Sequence, residues 1–406
     1  MVTRVMKKLI SRKYVLTLLL MLYFIRFGGL YPLCNFLHGS GFTFELPLLA
    51  IFLFCAFFEQ ERISAYRKWL FLFGGALLLN YVSTNYFEGR SLLISVATAA
   101  FLHGLFLYFP LAMIKPSVKE LENVIITIGI YLLALYFMQQ MLLPTPIVLS
   151  LMEGWRTEST DFDLMRYSLG GEAFMYLFQM LCINRFLIYK KKIYLIGVVL
   201  VTVMSVLHGY RSSMFAMIIS LMYAYIVCNG IKFNSKTISI IVLVIVFYQF
   251  IDQIPVIGDV LNRISEKQES QFSSGNSWMD LDRVIEFNFF YNQQIKNIWE
   301  WIFGCGFLSK DEYAALPPML SWVNWVDLGF IGVSFMGGIL MVICWIRLLL
   351  LNMTSIPVQY KYLAAFSLFL IGSTLTLNTA FADNAMAVQA FALYFGSHVK
   401  INKKRV

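Results

Sequence analysis

The chain has 406 residues, of which 59% are hydrophobic and 14% are charged, and its formal net charge is +9. Soluble globular chains carry about 25% charged residues, so this composition excludes a soluble enzyme, a secreted domain and a nucleic-acid-binding protein. The mean hydropathy of +0.71 predicts a protein that uses lipid as its solvent.

Apolar runs along the chain predict an all-α, polytopic integral membrane protein. The runs are continuous rather than alternating, which favours helices over a barrel. Because a bilayer core needs roughly 20 apolar residues per helix, we expect about 12 transmembrane helices in a single membrane domain, 1–406. The predicted spans are 14–33, 42–58, 69–87, 91–114, 122–142, 171–189, 193–208, 212–229, 237–253, 325–346, 362–378 and 383–398.

The basic residues predict the orientation of these spans. With the N-terminus in the cytoplasm and strict alternation, most of the 32 Lys and Arg residues fall in cytoplasmic loops and most acidic residues fall outside. The positive charge is therefore a topology signal. The first run is too long, and too soon followed by a second, to be a cleaved signal peptide. We expect a retained first helix, with both termini in the cytoplasm.

Two loops, 143–170 and 254–324, are much longer than the other connections, and both fall on the predicted outer face. Long loops in proteins with otherwise short connections are often functional. In the second loop, apolar residues recur at helical spacing between Ser277, a candidate N-cap, and Gly304, a candidate stop. This pattern predicts an amphipathic helix that lies on the outer leaflet or packs on neighbouring spans.

Cysteine and histidine usage gives no metal-binding pattern. The six cysteines and four histidines form no CxxC pair and no mixed cluster, so we expect no metal site. Cys34 and Cys305 both fall on the predicted outer face, where a disulfide between them is conceivable. Free thiols that simply pack are the alternative.

Charged residues gather at the predicted outer ends of the spans. Charge near the membrane is costly unless it is paired, so each such residue suggests a functional site. The candidates are Arg166 and Glu172 in MRYSLGGEAF, Arg211 in HGYRSSMF, Arg263 and Arg283 in the second long loop, and Asp327 in WVDLGFIGVSF.

Each candidate also has a plain structural interpretation. Arg211 can end a helix at the interface, Arg166 and Glu172 can form a local ion pair, Asp327 can be an N-cap, and the two loop arginines can be solvated. The joint occurrence of four arginines on one face favours a functional role. Guanidinium groups bind phosphate oxygens in a bidentate manner, and a helix start beside one is a suitable anion site.

In their order and sidedness, these motifs resemble those of the O-antigen polymerase (Wzy) and ligase superfamily of bacterial inner membranes. The resemblance covers about 150–345 and includes the element Phe303–Gly304–Cys305–Gly306–Phe307 and the segment VDLGFIGVSFMGG. Ligases of this superfamily share an outer His–Asn motif at the end of the large loop. Here Asn324 and Asp327 occupy that region without a histidine, which favours the polymerase branch.

The resemblance implies a metal-independent glycosyltransferase without a cofactor. It would polymerise polyprenyl-pyrophosphate-linked repeat units into O-antigen or a related surface polysaccharide on the periplasmic face. The implied partners are the lipid-linked donor and acceptor glycans, membrane lipid, a chain-length regulator and a flippase, and no nucleic acid. The implied catalytic residues are Arg211, Arg283, Glu172 and Asp327, and the implied pyrophosphate-binding residues are Arg166, Arg211, Arg263 and Arg283.

Two other functions stay open. A flippase or transporter of lipid-linked oligosaccharide predicts charges through the membrane depth and pseudo-symmetric halves, and neither is evident in the sequence. A ligase that moves the finished glycan onto another acceptor would share the fold and the arginines, but the missing histidine counts against it.

Overall fold

The structure is a computed structural model, and the regular secondary structure of the residues that it describes is helical. The prediction of an all-α chain is confirmed for these residues. Leu30 and Val148 add an isolated antiparallel bridge between two connecting segments. The described residues are 11–30, 33, 46–58, 64–142, 145–148, 169–208, 211–229, 282–309, 312, 324–354, 356–375, 379–381 and 384–403.

The α-helices are numbered here in chain order. They are α1 (Arg12–Phe24), α2 (Leu46–Phe58), α3 (Ala65–Glu88), α4 (Leu92–Thr98), α5 (Tyr108–Ile114), α6 (Val118–Met141), α7 (Ala173–Tyr189), α8 (Ile193–His208), α9 (Arg211–Asn229), α10 (Asp282–Phe289), α11 (Ile298–Phe303), α12 (Phe330–Gly337), α13 (Ile339–Met353), α14 (Tyr362–Ser373) and α15 (Ala385–Lys403). Between them lie 3-10 segments at Arg26–Gly29, Ala100–Leu107, Trp325–Leu328, Val358–Tyr360 and Thr379–Phe381, and a π-helical turn at Phe290–Gln294.

Polar side chains start several of these helices. Serine hydroxyls cap α1, α3 and α4 by accepting a hydrogen bond from the backbone N–H three residues on; the serines are Ser11, Ser64 and Ser91. Ser117 and Asn297 form complete capping boxes with Glu120 and Glu300, which begin α6 and α11. The starts of these helices are therefore encoded locally.

A left-handed turn follows α1 and breaks the first predicted span. Arg26 and Phe27 have φ of 51° and 49°, and Gly28 and Gly29 continue the turn with φ of 72° and 83°. Such backbone costs roughly 1–2 kcal/mol for each residue with a Cβ, so packing must hold it. The Tyr131 hydroxyl does so by donating a 2.8 Å hydrogen bond to the Phe27 carbonyl.

Further breaks divide two other predicted spans. In 91–114, α4 and the helical segment after Ala99 are bent by 63°. In 325–346, Gly338 (φ 85°, ψ 150°) separates α12 from α13. A Cβ on Gly338 would lie 2.4 Å from the Ile302 carbonyl oxygen, so only glycine allows the approach.

The helices match the predicted spans only in part. Each predicted span contains helix, except 237–253, which lies outside the described residues. Within the described part of the chain, α6 alone is long and apolar enough to cross a bilayer by itself; α4 and the bent segment that follows it pass the same test only together. Shorter apolar helices of 10–17 residues include α7, α13 and α14.

The predicted amphipathic helix of the second long loop is not continuous. Ser277 lies outside the described residues, and α10 begins at Asp282. A π-helical turn and an extended residue, Ile295, then separate α10 from α11. The prediction of one helix up to Gly304 is wrong, because Asn297 starts a second helix with its own capping box.

Side-chain contacts sort the helix ends into two groups. At what we call the basic end, the starts of α1, α3, α6 and α14 meet the ends of α5, α7, α13 and α15. Its described charged side chains are Arg12, Lys13, Arg67, Lys68, Lys115, Lys119, Glu120, Glu122, Arg185, Lys190, Lys191, Lys192, Arg347, Lys361 and Lys400. Residues that the loop charges assign to one face therefore lie together.

The opposite end, which we call the acidic end, gathers the ends of α1, α3, α6 and α14 with the starts of α7, α13 and α15. Its described charged side chains are Arg26, Glu88, Arg90, Glu172, Arg283, Glu286, Lys296, Glu300, Glu312 and Asp327. The candidate residues of the sequence that fall within the described part of the chain belong to this end.

Candidate functional site

Four of the six predicted site residues lie in the described part of the chain. They are Glu172, Arg211, Arg283 and Asp327, whereas Arg166 and Arg263 lie outside the described residues. The four lie on separate elements, whose packing places them at the acidic end.

Glu172 immediately precedes α7 and is held against the left-handed turn. Gly170 and Gly171 pack so closely on Ile25 that a Cβ on either would fall 2.4–2.5 Å from its atoms. The Tyr176 hydroxyl donates a long hydrogen bond of 3.5 Å to Glu172 and accepts one of 3.3 Å from Ser205. This polar chain connects Glu172 to the last turn of α8.

Arg211 is the first residue of α9, and α8 ends only three residues before it, at His208. Since Ser205 is bonded to Tyr176, the α8–α9 turn and Glu172 belong to the same corner of the acidic end. The start of a helix as long as α9 presents unpaired backbone N–H groups and the positive end of its dipole. This position can bind an anion.

Asp327 lies in the 3-10 turn Trp325–Leu328 before α12. The turn rests on the end of α14, because the Phe330 N–H donates a 3.0 Å hydrogen bond to the Thr374 carbonyl. Two residues earlier in α14, Gly372 packs on Ala216 of α9, and a Cβ added to Gly372 would lie 3.2 Å from the Ala216 Cβ. The turn that carries Asp327 and the start of α9 are thus both next to the end of α14.

Arg283 is exposed in the first turn of α10. One turn further, Glu286 is buried, and its Oε1 accepts a 3.0 Å hydrogen bond from the backbone N–H of Asn324. This bond joins α10 to the segment that carries Asp327. Arg283 therefore shares the acidic end with the other candidates, and its side chain faces outward.

The FGCGF element forms the best-defined contact of the acidic end, and we call residues 303–307 the glycine strap. Asn80 of α3 donates hydrogen bonds of 2.7 Å and 2.9 Å to the carbonyls of Phe303 and Met336. Ser83 donates a 3.2 Å bond to the Gly304 carbonyl, and Arg90 donates a 2.9 Å bond to the Phe307 carbonyl. The end of α3 thus holds the strap along its whole length.

Both glycines of the strap are required by close approach. Gly304 and Gly306 have φ of 86° and 83°. A Cβ on Gly304 would lie 2.3 Å from the Met336 carbonyl oxygen, and one on Gly306 would lie 2.4 Å from Thr84 Oγ1. The strap can enter the break between α12 and α13 only because these positions carry no side chain.

Cys305 is a buried free thiol in the middle of the strap. Its Sγ donates a 3.2 Å hydrogen bond to the Phe335 carbonyl, and burial raises the pKa of the thiol to about 12. Cys305 is thus packed as a free thiol and not joined in the conceivable disulfide. Cys34 lies outside the described residues.

A second charged cluster lies beside the strap and was missed by the sequence reasoning. Lys296 Nζ is 2.8 Å from Glu88 Oε1, and Arg90 Nε is 2.8 Å from Glu312 Oε1. Glu300 is fully buried, and its Oε2 accepts a hydrogen bond from the backbone N–H of Lys296, so that Lys296 binds both Glu300 and Glu88. The sequence signal available for this cluster was the pair of charged residues, Glu88 and Arg90, directly after the predicted span 69–87.

The cluster contains a carboxyl group whose proton affinity is raised. Burial raises the pKa of Glu300, and the neighbouring Glu88 acts in the same direction. The hydrogen bond to Glu88 raises the pKa of the Lys296 ammonium. No group of three or more His, Cys, Asp or Glu side chains placed to hold a metal ion occurs in the described ranges.

Comparison with known proteins adds no relative to this picture. No protein-family model matches the sequence. No curated protein and no solved structure matches it either.

Proposed function

We propose that this chain is a polysaccharide polymerase of the bacterial inner membrane, with about 12 spans and both termini in the cytoplasm. It joins polyprenyl-pyrophosphate-linked repeat units into O-antigen or a related surface polysaccharide. The separation of charge between the two helix ends supports this topology, because basic residues are retained on the cytoplasmic side of a membrane. The acidic end then faces the periplasm.

The observation that carries the proposal is the convergence at the acidic end. Glu172, the start of α9 at Arg211 and the turn of Asp327 are connected through α7, α8 and α14. Arginines beside a helix start suit a pyrophosphate, whose charge grows as it leaves the sugar. The resemblance of the motifs to the polymerase and ligase superfamily points to the same end of the molecule.

In the proposed reaction, an acceptor sugar hydroxyl attacks the anomeric carbon of the lipid-linked donor. The C–O bond to polyprenyl pyrophosphate breaks, and the hydroxyl proton passes to a carboxylate. Arg211 and Arg283 bind the departing pyrophosphate, with Arg166 and Arg263 assisting. Glu172 or Asp327 holds or deprotonates the acceptor hydroxyl. No metal or nucleotide takes part.

The test is the length of surface glycan, seen as a banding ladder. We would compare a strain that lacks the protein with the same strain restored by wild type, by Arg211→Ala or by the basic-end control Arg12→Ala, all at equal membrane levels. Single repeat units in the null strain, and a ladder restored by wild type and Arg12→Ala but not by Arg211→Ala, would support the proposal. Loss of one preorganised charge donor lowers a rate by about 10²–10³.

Other outcomes would replace the polymerase. If the null strain shows no surface glycan while single lipid-linked units accumulate inside, the protein is a flippase. If full-length glycan accumulates on its lipid carrier without reaching the final acceptor, it is a ligase. A ladder restored by Arg211→Ala at wild-type length would remove Arg211 from the mechanism.

A further inference from the structure

The glycine strap and α11 are fastened to the end of α3 by a carboxyl pair. Glu300 is 0% exposed, and its Oε2 accepts hydrogen bonds of 2.5 Å and 3.1 Å from the backbone N–H groups of Lys296 and Asn297. Its Oε1 is buried, and no donor within the described residues reaches it. Lys296 also binds the carboxyl of Glu88, through its Nζ at 2.8 Å, and the two carboxyl groups interact electrostatically.

Two ionised carboxylates held by the same lysine would repel each other. The repulsion is larger in a buried site than in water, because the local dielectric constant is lower. A buried acceptor without a donor also costs about 1–3 kcal/mol. One proton on the pair removes both costs, since an O–H then donates to the facing oxygen.

We propose that Glu88 and Glu300 share one proton, and that this proton fastens α11 and the glycine strap to α3. The segment 295–307 is then a pH-sensitive latch at the acidic end of the bundle. The latch does not depend on the proposed transfer reaction, because it concerns the position of a backbone segment.

The charged and titratable groups that face the pair from the packed elements are few. α3 supplies Glu88, with Arg90 just beyond it and Glu312 bound to Arg90 at 2.8 Å. The segment itself supplies Lys296 and Cys305. From the π-helical turn, Tyr291 faces Trp301 at 5.9 Å. α12 carries no titratable side chain, and the Arg347 of α13 lies at the basic end, over Trp69.

The direction of the pH response follows from the raised pKa of Glu300. A carboxyl with a folded-state pKa above its unfolded value stabilises the closed latch at low pH, and this stabilisation is lost as the pH rises through the folded-state value. Above that range the pair ionises and repels, so residues 295–307 separate from α3. The latch is closed in acid and opens in base.

Glu300→Gln is the decisive variant because it resembles the protonated state permanently. Gln is accepted at this capping-box position, so its Oε1 keeps the Lys296 and Asn297 N–H bonds. Its Nε2 donates to the Glu88 carboxylate at every pH. We expect a latch that stays closed, in a protein that still folds.

Cys305 reports the opening directly because it is buried in the strap. The full-length protein in lipid nanodiscs would be labelled with a maleimide at a series of pH values, and labelling at Cys305 read by peptide mass spectrometry. Maleimide reacts with the thiolate, and the thiolate fraction rises with pH in both proteins. Dividing the labelling rate of wild type by that of Glu300→Gln removes this shared pH dependence. We expect this ratio to rise with pH, approaching tenfold per unit for release of one proton.

A ratio that stays constant with pH would overturn the latch. The matched control is Glu120→Gln, which changes the capping-box glutamate of α6 at the basic end and should follow wild type. Infrared spectra supply a second readout, since wild type should show a protonated carboxyl band that both Glu88→Gln and Glu300→Gln lose. Retention of that band in both variants would place the proton elsewhere and refute the sharing.

Discussion

Arg185 at the end of α7 donates a hydrogen bond from its guanidinium to the carboxylate of Glu122 at the start of α6. Both side chains are mostly buried, with 13% and 17% exposed, and the Tyr362 hydroxyl also donates to Glu122. The loop charges alone predict both residues on one face of the membrane. The pair therefore connects antiparallel helices at the basic end.

Removing one partner of this pair should destabilise the bundle more than removing both partners. Loss of one partner leaves a buried charge and costs about 3–5 kcal/mol; with both groups partly exposed we expect Arg185→Met to lie at the lower limit. Glu122→Gln combined with Arg185→Met should cost less than the sum of the single changes. Thermal unfolding of the four proteins in detergent measures this, with Lys119→Met as the exposed control, and strict additivity would refute the coupling.

Asn80→Leu should loosen the glycine strap. The change removes the Asn80 donor from the part-buried Phe303 carbonyl, and leaving such a group unsatisfied costs about 1–3 kcal/mol. The Met336 carbonyl loses one of its two donors and keeps the Gly306 N–H. We expect a lower unfolding temperature and faster maleimide labelling of Cys305. Asn85→Leu is the control, because Asn85 is exposed and bonds only to the Arg90 carbonyl within the described contacts. Equal labelling in the two variants would contradict the role of Asn80.

Two glycine-to-alanine changes should have opposite effects. Gly338 combines φ 85° with ψ 150°, a backbone region essentially confined to glycine, so Gly338→Ala adds strain of about 1–3 kcal/mol as well as the clash with the Ile302 carbonyl. Gly75 lies within α3 with open space at its Cβ position. Gly75→Ala should stabilise by about 0.5–1 kcal/mol. The unfolding temperatures of the two variants and wild type measure these effects. A higher unfolding temperature for Gly338→Ala than for Gly75→Ala would show that the backbone at the α12–α13 break adapts to a side chain without strain.

Lys296→Met should move latch opening to higher pH. The Lys296 ammonium favours ionisation of the adjacent Glu88, so its removal lets the pair keep its proton longer. The shift should be a fraction of a pH unit, because Lys296 is 57% exposed and solvent screens it. The pH series of Cys305 labelling measures it, with Lys190→Met as a basic-end control. A shift to lower pH would contradict the assigned neighbours.

Glu172→Gln should separate its two proposed roles. If the carboxylate takes the acceptor proton, the change lowers the polymerisation rate by about 10²–10⁴ and shortens the glycan ladder at normal protein levels. If Glu172 only holds the acceptor hydroxyl, the amide still accepts that bond and the ladder keeps most of its length. Glu120→Gln again serves as the matched control.

The sequence predicts the helices better than their interruptions. Apolar length located α3, α6 and α7. The pattern S-x-x-E at Ser117 and Glu120, which was not used in predicting the spans, marks the start of α6. The left-handed turn at Arg26 was not predictable, because a non-glycine residue adopts that backbone only when distant contacts such as Tyr131 hold it. The bend after α4 was not predictable from the sequence either, since Ala99 is neither proline nor glycine.

The candidate site shows a similar division. The arginine and acidic motifs suggested one end for Glu172, Arg211 and Asp327, because the distribution of charge among the loops predicts their sidedness. The elements that carry these three residues meet at the acidic end. The carboxyl pair of Glu88 and Glu300 joins residues far apart in the chain, and no local pattern announces such a pairing. Asn297 and Glu300 did carry a signal, the capping box N-x-x-E, which also marks the true start of α11.

The glycine strap makes the last turn of α12 dependent on distant parts of the chain. The N–H groups of Cys305 and Gly306 bond to the carbonyls of Phe335 and Met336, which a continuous helix would have satisfied by itself. The Cys305 partner lies 30 residues away, and Asn80, which shares the Met336 carbonyl, lies 256 residues away. During synthesis the strap therefore cannot form these hydrogen bonds until α12 has been made. A chain truncated before Phe335 contains the N–H donors of the strap but lacks both carbonyl acceptors.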